Sequence, residues 1–373
     1  MKQPLLVATF LFASSIAQAR DLCACELPLI RLTPKAGWHG GFSEQYTDYG
    51  RLQDSGRGIA NPGGQYMHSS ITQLYAGYDF TDTFGVQLNI PYIARTFRRA
   101  EFGAIESGNE SGFGDVSLIG SWTAVHIERG DFRYTARVNA GIKLPTGDSS
   151  RLKEEGRHGH EEQEIRQVIP AVPEISRNVT RQVPTGKVRF INANIVPIFR
   201  TETQKVIIRP AQPEQVIVQR FPGDESGVHG HDLALGTGSI DGVIGTDFHC
   251  QWKRAFFDAG LQFTLRGNGR HDYDYADDVS WHAGVGVVLL EKAKWTAALG
   301  VRFSGETKGE DDFRGERLDD TSINTVFVGP RLAVTWDEKL SANIGIDFPI
   351  QRENSGIQTV PEYRVQAGVS WQF

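Results

Sequence analysis

Cysteine is scarce in this chain, with three in 373 residues, so a disulfide scaffold is excluded. A basic excess is also missing. The 39 Lys and Arg against 45 Asp and Glu leave a net charge of −6, which argues against a nucleic-acid partner. Past the extreme N-terminus, no apolar run approaches the roughly 18 to 20 residues that a membrane-spanning helix needs, so any membrane passage must be made by strands. Catalytic machinery is missing too. No serine stands in a nucleophile-elbow context, and the Ser, His and Asp residues near loop ends form no triad pattern. The glycines of "GNGRHD" and "ALGTGS" open no helix that could cradle a phosphate. The sequence therefore reads as a non-enzyme with no organic cofactor.

What is present begins with an export signal. Lys2 precedes an apolar run from Leu5 to Ile16, and Ala17-Gln18-Ala19 supplies the small-residue pattern of a signal-peptidase site. Residues 1–19 are expected to be a signal peptide and 20–37 a periplasmic lead-in segment. Lipid attachment at Cys23 or Cys25 fits less well, because Arg20 and Asp21 separate the apolar run from both cysteines.

From residue 38 onward the pattern is alternation. Phe84, Val86, Leu88, Ile90 and Tyr92 share one face of a strand, as do Phe257, Ala259, Leu261, Phe263 and Leu265, and the last strand ends on Val369, Trp371 and Phe373. Counting the less regular stretches near 38–49, 65–80, 114–124 and 239–250 gives about twelve strands, an even number as in single-chain bacterial barrels. Connections alternate in length. Short polar turns such as "IERGD" and "WDEKL" alternate with longer loops at 50–64, 99–112, 144–237, 267–277, 304–321 and 351–360. Aromatic residues cluster at both strand ends, with Phe84, Trp122, Trp252, Trp295 and Trp336 beside the short turns and Tyr92, Trp281, Phe303, Phe348 and Tyr363 toward the long loops. The interval of about eight residues spans ~26 Å at ~3.3 Å per residue, or ~20 Å after a tilt near 40°, close to the ~25 Å apolar band of outer-membrane barrels. The fold class expected is all-β: an antiparallel transmembrane β-barrel of about 12 strands, residues 38–373, with a long extracellular insertion over 144–237. Its partners would be outer-membrane lipid, the outer-membrane assembly machinery, whose recognition signal in other outer-membrane barrels the terminal Phe373 resembles, and a small-molecule solute.

The opposite strand faces should line the lumen. They carry Arg133, Arg137 and Lys143, then Asp241 and Asp247, Asp258 and Arg266, and finally Arg302, Arg331, Asp347 and Arg364. Charges away from lipid need water or partners. Either they border a narrow or gated solute path, or they pair across the interior and seal it.

The 144–237 segment, β-branched and punctuated by proline, is expected to hold an ordered hairpin and to act as a lid at the barrel mouth. Two "HGH" sequences bracket it, placing His158 with His160 and His229 with His231 as candidate ligands for a divalent metal. At the other rim, Cys23 or Cys25 is a candidate disulfide partner for Cys250.

Three motifs add a likeness. "GFGDVSLIGSW" (112–122), "GIKLPTGD" (141–148) and "LALGTGSIDGVIG" (233–245) resemble the bacterial outer-membrane family named for the MetA pathway of phenol degradation, from about residue 65 onward. The resemblance implies an outer-membrane transporter passing small aromatic or apolar compounds, and the segment near 150–230 stands out as an insertion. The function expected is a passive or gated channel in the cell outer membrane. The alternative is a non-conducting barrel that presents the insertion to a metal or a partner.

Overall fold

The computed structural model describes residues 36–101, 104–157, 163–169, 171, 173–191, 194–211, 215–221 and 226–373. They divide into two units, Glu161–Gly223 and the remainder of the chain.

The larger unit is a closed antiparallel barrel. Its strands are β1 (Gly37–Tyr49), β2 (Tyr66–Asp79), β3 (Phe84–Glu101), β4 (Val116–Arg129), β5 (Phe132–Leu144), β6 (Asp241–Trp252), β7 (Ala255–Leu265), β8 (Asp278–Lys292), β9 (Trp295–Lys308), β10 (Ile323–Trp336), β11 (Leu340–Asn354) and β12 (Tyr363–Gln372). Each pairs with its sequence neighbours, and β1 closes the barrel against β12 from His39 opposite Gln372 to Asp48 opposite Tyr363. The terminal aromatic is tied in: the Phe373 backbone amide donates to the Trp38 carbonyl at 2.9 Å.

Burial follows the period of two. Along β2, Met67, Ile71 and Tyr75 are buried while Leu74 is 50% exposed, and around the barrel Phe84, Leu88, Ile244, Phe257, Leu299 and Ile344 stand out from the wall. So continuous an apolar exterior is the surface that a bilayer covers. Trp122, Trp252, Trp295, Trp336 and Phe373 are exposed at the short-turn rim, and Tyr92, Phe303 and Phe348 toward the long-loop rim. Trp281 and Tyr363 are only half-buried rather than exposed, and the Trp281 ring lies where a Cβ on its cross-strand partner Gly305 would fall. The short turns are tight enough to need left-handed backbone at Gly130, Lys253, Asp337 and Glu338.

Two expectations need correction. The polar stretch 99–112 is largely strand, because Ala104–Phe113 pairs with the upper part of β3 and continues the line of β4. Its glutamates supply the reason: Glu106 and Glu110 sit opposite Arg99 and Arg95 in that ladder, so cross-strand charge replaces apolar alternation. Between this segment and β4, Gly114 and Asp115 leave the ladder as a bulge, with the Gly114 amide donating to the Pro91 carbonyl at 2.9 Å. In addition, the strand expected near 239–250 starts only at Asp241 and runs to Trp252.

The smaller unit is an antiparallel ribbon. Ile175–Ile191 pairs with Asn194–Arg209, and Gln163–Ile169 pairs with Gln215–Phe221. Most of Ile175–Arg189 is exposed to solvent. The expected hairpin within the insertion is present.

Candidate functional site in the barrel lumen

The bulge at Gly114–Asp115 organises the lumen. By breaking the ladder it turns Asp115 inward, where the carboxylate accepts from the Gly147 amide at 3.0 Å and from both the Thr237 amide and hydroxyl at 2.8 Å. Thr146 completes the corner, receiving the Val116 amide and donating to the Gly114 carbonyl, both at 2.9 Å. The Leu235 and Gly236 amides donate to the Asp148 carbonyl at 2.9 and 3.1 Å. Gly147 and Gly236 pass so closely that a Cβ on Gly236 would lie 2.7 Å from Gly147. The three motifs that carry the family resemblance therefore meet at one place. Their chemistry is that of a clasp, with glycines for close passage and one buried carboxylate for three donors.

The clasp holds a plug. Residues 226–236 are all buried, although they lie between long polar stretches. Val228 and Leu233 pack with Tyr49, Met67 and Phe97 from the first three strands, and Leu235 reaches Ile71 and Ile93 farther down. Leu152, from the turn Ser150–Arg157, and Tyr273 and Tyr275, from the loop between β7 and β8, pack with Ala234. Buried Arg95 donates to the Ala234 carbonyl at 2.7 Å. The long-loop half of the bore is filled by protein.

Below the plug the interior opens. A cavity of about 540 Å³ extends from the short-turn rim to mid-barrel, lined by Glu44, Gln73, Arg133, His249, Asp258 and Arg302 among others. Ile71, which touches Leu235 of the plug, also forms part of this lining. The plug thus stands directly over the cavity.

All eleven residues expected in the lumen can be placed. Lys143 donates to Asp241 at 2.8 Å, and Arg266 joins Asp241 to Asp278 beside it. Arg137 stands opposite Asp247 in register, and Asp247 accepts from Asn139 at 2.5 Å. Arg331 contacts Asp347 at 2.8 Å, and Arg364 reaches Glu306 on β9 at 2.5 Å with its guanidinium 4.2 Å above the Phe327 ring. Arg133, Asp258, Arg302 and Arg331 border the cavity. Charges in the upper half are thus knitted together, and those in the lower half border the cavity as well as their neighbours.

His229 and His231 lie in the plug, each 3% exposed. The His231 ring has Glu155 3.0 Å from Nδ1 and Asp232 3.3 Å from Nε2. Burial opposes charge on this imidazole, but the two carboxylates outweigh it and raise its pKa to about 10. Glu155 is likewise pushed up by burial, then brought down to about 2 by the charge of His231. His158 and His160, and also Cys23 and Cys25, lie outside the described residues; Cys250 sits half-buried near the short-turn end of β6.

The central residue of the clasp, Asp115, was not singled out by charge alternation. Its signal was the sequence "GFGD", where glycines flank a strand opening and an acid breaks the apolar period. Glu155, Tyr273 and Tyr275 carried no signal, since each looks like an ordinary loop residue until the plug covers it.

No known family profile matches the chain, and no curated protein matches it. Among solved structures, an outer membrane channel from Pseudomonas putida aligns at TM-score 0.52 and 11% identity, over 93% of this chain and 100% of that one. The transport unit of the autotransporter AIDA-I from Escherichia coli aligns at 0.42 and 9% identity, over 94% of each chain. The CymD monoaromatic hydrocarbon channel aligns at 0.35 and 9% identity, over 91% of this chain and 89% of that one. At such identities the likeness is one of fold, and only the first is close enough to argue it: this chain has the architecture of a bacterial outer-membrane β-barrel.

Proposed function

We propose that this protein is a gated channel of the bacterial outer membrane for small solutes, with the plug at residues 226–236 as the gate. The observation that carries the reading is the asymmetry of the bore: a cavity of about 540 Å³ with charged residues in its lining opens below an inward-folded segment that fills the other half. A barrel built only to seal itself would have no use for that volume. Orientation follows from the loops, with the short turns in the periplasm and the plug facing outward. The family resemblance favours aromatic or apolar solutes, but the lining includes Glu44, Arg133, Asp258, Arg302 and Arg331, which favours solutes carrying polar or charged groups. Charged walls of both signs orient a dipolar solute.

The test is conductance of the purified protein in a planar bilayer, recorded for the wild type and for a variant with a weakened clasp. Low or intermittent wild-type conductance that becomes frequent in the variant supports a gate. The sealed interior of the upper half supports the alternative of a non-conducting barrel, and that alternative prevails if neither protein conducts.

A further inference from the structure

We infer that His229, His231 and Asp232 form a binding site for a divalent first-row transition metal, zinc or copper, that pins the plug to its surrounding loops. The inference stands whether or not the barrel conducts.

The near nitrogens of the two rings converge on one carboxylate. His229 Nδ1 lies 3.9 Å from Asp232 Oδ2, and His231 Nε2 lies 3.3 Å from Asp232 Oδ1. The three donor atoms fall within 4.8 Å of one another. Metal–ligand bonds of about 2.0 to 2.2 Å place adjacent donors roughly 3 to 3.5 Å apart, so the set closes on an ion with side-chain movements under ~1 Å.

The far nitrogens supply the second observation. His231 Nδ1 faces Glu155 Oε1 at 3.0 Å, and His229 Nε2 faces Asp320 Oδ2 at 3.5 Å. A carboxylate on the outer nitrogen is the arrangement that fixes tautomer and ring direction when the inner nitrogen binds metal. Here both imidazoles have it. Asp232 is fixed as well, since Oδ2 accepts the His229 backbone amide at 2.9 Å.

Charge agrees with geometry. Three carboxylates, from Glu155, Asp232 and Asp320, surround two imidazoles at a site where His229, His231 and Asp232 are at most 4% exposed. The negative charge gathered there favours a dication between the rings. Because Glu155 belongs to the turn Ser150–Arg157 and Asp320 to the loop before β10, an ion here would join the plug to two other loops. The donor set of two imidazoles and a carboxylate suits zinc or copper rather than calcium or magnesium.

The experiment uses the full-length protein in detergent, stripped with chelator and dialysed. Titration calorimetry with Zn²⁺ should show one tight equivalent, accompanied by a higher melting temperature. His229→Ala should abolish that equivalent, and Glu155→Gln should weaken it about 10- to 100-fold. The double substitution His158→Ala/His160→Ala should leave it in place. No uptake by the wild type overturns the inference and leaves His231 as a salt-bridged imidazolium. Loss of binding only in the His158/His160 variant overturns it too. If His229→Ala fails to assemble, electron paramagnetic resonance of Cu²⁺ on the wild type decides: coupling to two imidazole nitrogens is required, and its absence overturns the site.

Discussion

Replacing Asp115 with Ala should release the plug. The carboxylate is 7% exposed and accepts three hydrogen bonds, two from Thr237 and one from Gly147. Hydrogen bonds to a charged group contribute ~1.5–3 kcal/mol each, a gross total of ~4.5–9 kcal/mol. Neighbouring bonds are not additive, and freed donors recover part of the loss in water, so about 3–5 kcal/mol is a reasonable net effect on plug docking. At ~1.4 kcal/mol per tenfold, the docked-to-released ratio falls by at least roughly 10²-fold. The barrel wall is spared, since β3 and β4 already part at the Gly114–Asp115 bulge. Single-channel recording should therefore show a large rise in open fraction while the protein still runs as a heat-modifiable barrel. Asp115→Asn retains one acceptor oxygen and should give an intermediate open fraction. A correctly assembled Asp115→Ala barrel with wild-type open fraction would refute the clasp, and with it the plug as the closing element.

Further substitutions probe the same architecture from other sides. Gly236→Ala places a Cβ 2.6 Å from Asp115 Oδ1, so its conductance should resemble that of Asp115→Ala although no hydrogen-bonding group has been removed; a closed wild-type-like trace would count against the close passage. Lys143→Met leaves Asp241, which is fully buried, with Arg266 as its remaining close cation; loss of a buried partner costs ~3–5 kcal/mol, readable as a drop in melting temperature. Arg137→Ala should shift reversal potential toward cation selectivity and Asp247→Ala toward anion selectivity, each by removal of one fixed charge from a confined bore; a fall in stability with no selectivity shift would mean that this pair only seals the wall. Deleting Phe373 should reduce the amount of protease-resistant barrel in cells. Phe373→Asp adds only ~0–1 kcal/mol of interfacial cost, so equal losses in both variants locate the defect in assembly, while normal levels in both remove that role.

The wall was legible in the order of residues alone. Alternation has a period of two, and the wall of a barrel is made of little else, so apolar sets such as Phe84 to Tyr92 and Phe257 to Leu265 announced both the strands and the face that each exposes. Loop lengths fixed which rim is which, and the inward charges followed as the remaining half of each strand. Where the pattern was polar on both faces, as in Ala104–Phe113, the strand was invisible because its pairing depends on charges carried by β3. What fills the bore emerges from long-range contacts instead. Residues 226–236 are short, glycine-rich and mixed in polarity, and nothing periodic marks them as buried. They are enclosed because Asp115, Gly147 and Thr237, separated by up to 122 residues, come together where the ladder breaks. A clasp made of single residues from three distant segments has no local pattern to read. The same holds for the histidines: "HGH" showed ligand chemistry, but the carboxylates of Glu155 and Asp320 behind the two rings exist as partners only once the loops have closed over the barrel.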